Sequence, residues 1–157
     1  MTLKPEDIAL LIAIGEHAPS GEAYEFTDTN APTGNVIRVG SLQFPPDLNN
    51  PGASLVEQEK WITSLHSLRT QYFLTLGGGN IYRIHGVGRQ LLDRMRGCGK
   101  KTSTDKPVWQ AVIEILQNLQ RAQQAQTNNP SEESNRKEVT RLTQELLGLC
   151  KELQTAI

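Results

Sequence analysis

The chain has 157 residues, of which 37% are hydrophobic, and its formal net charge is −1. This length favours one domain with a small appendage. No apolar run approaches the roughly 18 residues of a transmembrane helix, so we expect no membrane contact. Glu6 and Asp7 precede a short apolar stretch, unlike a secretory signal peptide, and we expect a cytoplasmic location. Cys98 and Cys150 lie far apart and form no metal-type pair, so we expect free thiols, no metal and no cofactor.

Charge is distributed unevenly along the chain. Residues 1–60 carry three basic and nine acidic side chains, a net charge of −6. Residues 83–106 carry seven basic and two acidic side chains, a net charge of +5. A basic segment on a nearly neutral chain fits an anionic partner, and it fits a solvated basic face equally well.

The first half of the chain predicts one helix and one hairpin before a long second helix. Pro5 with the acids that follow it predicts a helix start, and that helix ends before Pro19. Residues 23–27 and 36–39 predict a hairpin with a long turn over residues 30–35. Residues 44–52 hold three prolines and a glycine, which predicts irregular structure.

A capping box predicts the next helix, and a glycine-rich hairpin follows it. Ser54 as N-cap with Glu57 three positions on indicates a helix over residues 54–70. Residues 72–76 and 80–84 are strand-like runs joined by three glycines, the strongest hairpin signal in the sequence. A short helix over residues 87–95 completes this part of the chain.

Residues 98–106 are polar and predict a linker, and two helices follow. Their apolar residues step by three and four, as in a heptad seam. Each seam is too short to be stable alone, so the helices should pack against each other, against a second copy, or both. The seam residues are Trp109, Val112, Leu116, Leu119, Val139, Leu142, Leu146, Leu149 and Leu153. We therefore expect residues 107–157 to mediate dimerisation or partner binding, as a short coiled coil.

Phosphate-binding and catalytic motifs do not fit the chain. A P-loop ending at Gly99-Lys100 needs glycine where Arg94 stands and a hydroxyl residue where Lys101 stands. A dinucleotide loop at Gly86-Val-Gly88 needs a third glycine, and that position is leucine. The three histidines are scattered, and His85 is best placed to cap the helix that follows it. We expect no catalytic residues and no enzyme.

Residues 82–92, Tyr-Arg-Ile-His-Gly-Val-Gly-Arg-Gln-Leu-Leu, carry a family resemblance. They are similar to the Tyr-Arg-Leu-Thr-x-x-Gly-Arg-x-x-Leu signature that ends the wing of PadR- and MarR-type winged-helix regulators. The resemblance covers about 25 residues directly and extends over roughly residues 54–96 by pattern. It implies an α+β, mainly α fold: a winged helix-turn-helix domain over residues 1–97, with a hairpin and proline-loop insertion at residues 20–53. The helical hairpin of residues 107–157 would follow as the dimerisation element.

The same resemblance implies a DNA-binding, dimeric transcriptional regulator that contacts double-stranded DNA. Its contacts would come from the recognition helix (residues 54–70), the wing (the hairpin of residues 72–84) and the basic segment of residues 83–106. The residues are Thr63, Ser64, Ser67, Arg69, Thr70, Arg83, Arg89, Arg94, Arg96, Lys100 and Lys101.

The alternative is a winged helix used for protein–protein interaction, as a subunit or adaptor of a larger bacterial or phage-related assembly. Two features favour it: the acidic first 60 residues, and the helix over residues 54–70, which is not basic. Its interface would include an exposed Trp61 or the proline loop of residues 44–51.

Overall fold

The computed structural model describes residues 2–18, 20–27, 35–46, 51–129 and 131–157, without the side chains of Thr27 and residues 51–54. These ranges form five helices and five strands. In chain order they are α1 (Pro5–His17), β1 (Glu22–Thr27), β2 (Asn35–Val39), β3 (Leu42–Phe44), α2 (Pro51–Thr70), β4 (Leu74–Leu76), β5 (Ile81–Ile84), α3 (Gly86–Arg96), α4 (Val108–Asn128) and α5 (Glu133–Ala156). The expected α+β class is confirmed.

All five strands form one antiparallel sheet in the order β3-β2-β1-β5-β4. The predicted hairpin β1–β2 therefore joins the glycine hairpin β4–β5, because β1 pairs with β5 through Ala23 opposite Tyr82. Strands β1, β2 and β3 are thus part of the main sheet, in a segment where the sequence suggested an insertion. Residues 30–34 of the predicted long turn and residues 47–50 of the proline loop lie outside the described part of the chain.

One helix boundary was predicted wrongly, and one strand was missed. The second helix begins at Pro51 and not at Ser54, so residues 51 and 52 are helical where irregular structure was expected. Proline suits the first position of a helix because its missing N–H has no intrahelical acceptor there. Strand β3 was not predicted, because three residues ahead of two prolines are too few to display an alternating pattern.

Helix α1 is the centre of the hydrophobic core. Every residue from Ile8 to Ile14 is buried, and the helix packs against α2, α3 and α5. An apolar stretch without a polar face is what such an environment requires. The backbone N–H of Lys4 donates to Asp7 Oδ2 over 2.8 Å and fixes the first turn. In the described ranges, no helix has both the length and the apolar content needed to cross a membrane.

Helices α4 and α5 form an antiparallel pair, and their apolar seams pack within one chain. Seven of the nine predicted seam residues are buried, and Trp109 and Leu149 are partly buried. All nine belong to or pack against the same core cluster as α1. The segment predicted as a linker folds tightly before them: the N–H of Val108 donates to the carbonyl of Lys100 over 3.0 Å.

The outer edge of β3 is closed by a side chain of α4. The amide of Gln123 accepts from the backbone N–H of Gln43 over 3.0 Å and donates to its carbonyl over 2.7 Å. A second contact joins the same amide to the carbonyl of Pro46 over 3.4 Å. One side chain thus takes the place that a neighbouring strand would occupy.

Replacing Gln123 with alanine is expected to lower the free energy of unfolding by about 1–2 kcal/mol, because it leaves a partly buried N–H and C=O without partners. Urea unfolding followed by circular dichroism measures this loss. Gln124→Ala on the exposed side of the same helix is the control and should change the stability by less than about 0.5 kcal/mol. Equal stabilities of the two variants would mean that the closed edge does not stabilise the fold.

Candidate functional site

The predicted recognition helix does not present all of its proposed DNA contacts. Ser64 is buried, so it offers almost no surface for the predicted DNA contact. Thr63 and Ser67 line a groove beside the start of α1, whereas Arg69 and Thr70 are exposed at the end of α2. Between α1 and α2 the described residues form three strands, at the place where a helix-turn-helix has its second helix.

Several of the predicted DNA-contacting cations are bonded within the chain. These pairs are Arg83 with Glu22, Arg96 with Glu16 and Asp93, Lys101 with Asp105, and Lys100 with Thr155 and the carbonyl of Glu152. Arg96 also stacks its guanidinium over the ring of Trp109, 5.4 Å from the ring centroid.

The remaining cations do not gather on one surface. Arg69, Arg89 and Arg94 are exposed and form no salt bridge with any described residue. Arg89 lines a depression with Gly21, and Arg94 lines a separate cavity with Leu3, so the two arginines lie on different flanks of α3.

A different surface is formed by the outer edge of β4, the last strand of the sheet. The N–H of Gly77 donates to the carbonyl of Ile81 over 2.7 Å, and the N–H of His85 donates to the carbonyl of Phe73 over 2.9 Å. In an antiparallel ladder the intervening residues turn their backbone groups the other way. The backbone groups of Leu74 and Leu76 therefore point away from β5, to a side where no described strand pairs with them.

Exposed apolar side chains surround this edge. Of the six large apolar residues that are exposed in the described part of the chain, three lie on or near β4: Tyr72, Leu76 and Val87, at 72%, 42% and 41% exposure. We call the outer edge of β4, together with these three side chains, the β4 edge. Since open strand edges and exposed apolar groups both favour association, their coincidence distinguishes this surface from the rest.

Tyr72 is held in an unfavourable backbone conformation. Its φ is 66°, in the left-handed region, and it stands where helices usually place glycine after their last turn. The N–H of Tyr72 donates to the backbone carbonyl of Arg69 over 3.0 Å, and the N–H of Phe73 donates to the backbone carbonyl of Leu68 over 2.9 Å. These are the paired bonds of a Schellman motif. The tyrosine ring is thus exposed at a position whose backbone prefers glycine.

Replacing Tyr72 with glycine is expected to raise the free energy of unfolding by about 0.5–1 kcal/mol, because glycine adopts positive φ without steric cost. The melting temperature from differential scanning calorimetry measures this gain. Thr70→Gly, at the end of α2, is the matched control and should lose about 0.5–1 kcal/mol, since it lies within the helix. If Tyr72→Gly instead lowers the free energy of unfolding, contacts of the tyrosine ring stabilise the fold by more than the strained backbone costs.

A polar cluster fixes the strands behind the β4 edge. The hydroxyl of Tyr82 donates to Glu25 over 2.8 Å, and His66 Nε2 lies 3.1 Å from the same carboxylate oxygen. Burial, with the hydrogen bond to Glu25, raises the pKa of Tyr82 to about 12. The tyrosine therefore stays protonated at neutral pH and joins β5 to β1. Its role is to position the strands.

The junction between β5 and α3 has the geometry that the sequence predicts. His85 is the N-cap, and its Nδ1 accepts from the N–H of Val87 over 3.4 Å. Gly88 follows in the first turn, where the backbone of Phe73 comes so close that no side chain fits. This contact holds the start of α3 against the entry to β4.

Sequence reasoning missed the β4 edge because strand order is not visible in a single hairpin. The one local signal was Tyr72, an aromatic residue directly between a helix end and a strand. Among the described residues, no group of three or more His, Cys, Asp or Glu side chains is arranged to hold a metal ion. No protein-family model, no curated protein and no solved structure matches the chain.

Proposed function

We propose that the chain is a protein-binding module that takes up an extended segment of a partner protein as a sixth strand along the β4 edge. The observation that carries this proposal is the unpaired outer side of β4, with its backbone groups at Leu74 and Leu76 turned outward. Strand addition uses such groups for affinity and the neighbouring side chains for specificity. This function corresponds to the adaptor alternative and needs no catalytic group.

The contrast between the two sheet edges supports this function. The β3 edge is closed by Gln123. Strand β4 has the sequence Leu-Thr-Leu, which contains no charged residue and no proline. Proteins usually protect their sheet edges with such residues or with a covering element. In the described part of the chain no strand covers the β4 edge, and such an edge next to an exposed tyrosine is suited to a binding role.

Selection of peptides tests the proposal directly. A phage-displayed library of random twelve-residue peptides is selected on the full chain, and enriched peptides are synthesised with a fluorescent label. Fluorescence polarisation then measures their dissociation constants for the wild type and for Leu76→Pro. Proline removes the outward N–H of residue 76, while the hydrogen bonds from His85 N–H to the Phe73 carbonyl and from Gly77 N–H to the Ile81 carbonyl remain.

We expect Leu76→Pro to weaken binding at least tenfold, and Leu76→Thr, which keeps the N–H, to weaken it less than threefold. Tyr72→Gly should weaken binding while it stabilises the fold. A library without enriched sequences, or equal binding by Leu76→Pro and the wild type, would contradict the proposal.

DNA binding by a winged-helix regulator is the second candidate. It is supported by the similarity of residues 82–92 to a wing signature and by three exposed arginines that form no salt bridge with a described residue, Arg69, Arg89 and Arg94. Polarisation or gel-shift titration of mixed genomic fragments at low salt tests it. Binding that falls steeply with salt and with the combined change of these arginines to glutamine would support it. No binding at micromolar protein would exclude it.

A homodimer is a further expectation of the wing resemblance. The seams of α4 and α5 are buried within one chain, so a dimer would have to use another surface. Sedimentation equilibrium at micromolar concentration measures the mass. Repeating it with Leu76→Pro tests whether two β4 edges pair with each other.

A further inference from the structure

A cavity of about 480 Å³ opens at the entry to β4. It lies between α3, the residues ahead of α1 and the end of α5, and Phe73 lines it immediately before the strand begins. Leu3, Phe73 and Leu91 are its buried apolar walls, and Val87 is exposed at its side. Its volume is within the range of about 300–1,000 Å³ that is common for ligand pockets.

The lining of this cavity combines apolar walls with polar side chains, and one of these is an arginine. Among the described residues that line the cavity, Arg94 is the only one with an ionisable side chain. Two positions further along α3, Arg96 is paired with Glu16 and Asp93, but Arg94 pairs with no described carboxylate. A group that fills the cavity would therefore combine apolar surface with a negative charge.

The cavity is within reach of a strand bound at the β4 edge. Strand β4 has three residues, and a paired strand advances about 3.3 Å per residue. A partner segment of six or more residues would extend past Phe73 towards the cavity. Phe73 precedes β4 directly and also lines the cavity, so a segment that runs along the β4 edge in this direction is led towards the cavity and Arg94.

We infer that the partner segment carries a bulky apolar side chain with an aspartate or glutamate within two positions of it. The apolar side chain enters the cavity, and the carboxylate accepts two parallel hydrogen bonds from the guanidinium of Arg94. This inference rests on the proposed function, since the β4 edge brings the segment to the cavity. It specifies the chemistry of the partner as an acidic and apolar strand.

The test uses two labelled peptides made from the tightest binder of the library selection. One keeps its acidic residue, and the other has glutamine in place of glutamate or asparagine in place of aspartate. Both are titrated against the wild type, Arg94→Gln, Leu76→Pro and Arg89→Gln. Arg89 is the matched control, because it lies on the same helix but lines another depression.

We expect the wild type and Arg89→Gln to prefer the acidic peptide about tenfold, as for a charge-assisted hydrogen-bonded pair, and Arg94→Gln to lose this preference. Selected peptides without an acidic residue near an apolar one, or an unchanged preference in Arg94→Gln, would overturn the inference. If Arg94→Gln keeps the preference but Leu76→Pro loses binding, strand addition at the β4 edge is retained and only the role of Arg94 is overturned. If Leu76→Pro binds normally, both fail.

Discussion

Replacing Leu146 with asparagine is expected to abolish the cooperative folding of the whole chain. Leu146 is fully buried on α5, within the core cluster that also contains α1 and Trp61. The change leaves a cavity and buries an amide, a combined loss of about 3–5 kcal/mol. Since domains are usually stable by about 5–15 kcal/mol, this loss removes most or all of the folded state.

Far-ultraviolet circular dichroism and tryptophan fluorescence measure the Leu146→Asn effect together, in a Trp109→Phe background that leaves Trp61 as the single tryptophan. The helical signal and the buried environment of Trp61 should disappear in one transition. Gln144→Asn, on the exposed side of the same helix, is the control and should keep both signals. A protein that loses helical signal but keeps Trp61 buried would indicate that α4 and α5 fold separately from the sheet.

Replacing Gly88 with alanine is expected to lower the free energy of unfolding by about 1–3 kcal/mol, because the new methyl group collides with the backbone carbonyl of Phe73. The carbonyl cannot move aside freely, since it accepts from His85. The damage should be greatest at the entry to β4. Amide hydrogen exchange around Phe73 and His85 should therefore accelerate more than exchange in α5.

Gly86→Ala supplies the matched control for Gly88→Ala. Both glycines lie in the first turn of α3, but a methyl group at residue 86 meets nothing within 4 Å. This variant should be neutral or more stable by up to about 1 kcal/mol, since alanine favours the helix. If the two alanine variants have the same stability, the close approach of α3 to β4 is not needed for the fold.

Local patterns predicted most of the individual elements. The glycine hairpin, the helix that follows it and the cap by His85 are confirmed within one or two residues, because each depends on neighbours in the chain. Trp61 is different: the adaptor alternative placed it on the surface, and it is fully buried against Phe44. Its partner comes from β3, a strand that the sequence did not reveal.

The arrangement of the sheet could not be predicted from the sequence, and the candidate site depends on it. The pairing of β1 with β5 joins residues about 60 positions apart and leaves β4 at the edge. Separations of 61 and 80 positions likewise hid the salt bridges of Arg83 with Glu22 and of Arg96 with Glu16, whose acidic partners belong to the first part of the chain. The basic segment is thus partly neutralised by the folded chain itself.

The central claim is that β4 accepts a partner strand, and hydrogen exchange at two amides tests it most directly. The N–H groups of Leu74 and Leu76 point outward, so binding of a selected peptide should slow their exchange at least tenfold, while the amide of Gly77, already bonded to β5, should change little. Two-dimensional NMR of the labelled protein resolves these residues. A peptide that binds at saturation and leaves both amides exchanging as in the free protein would contradict the account.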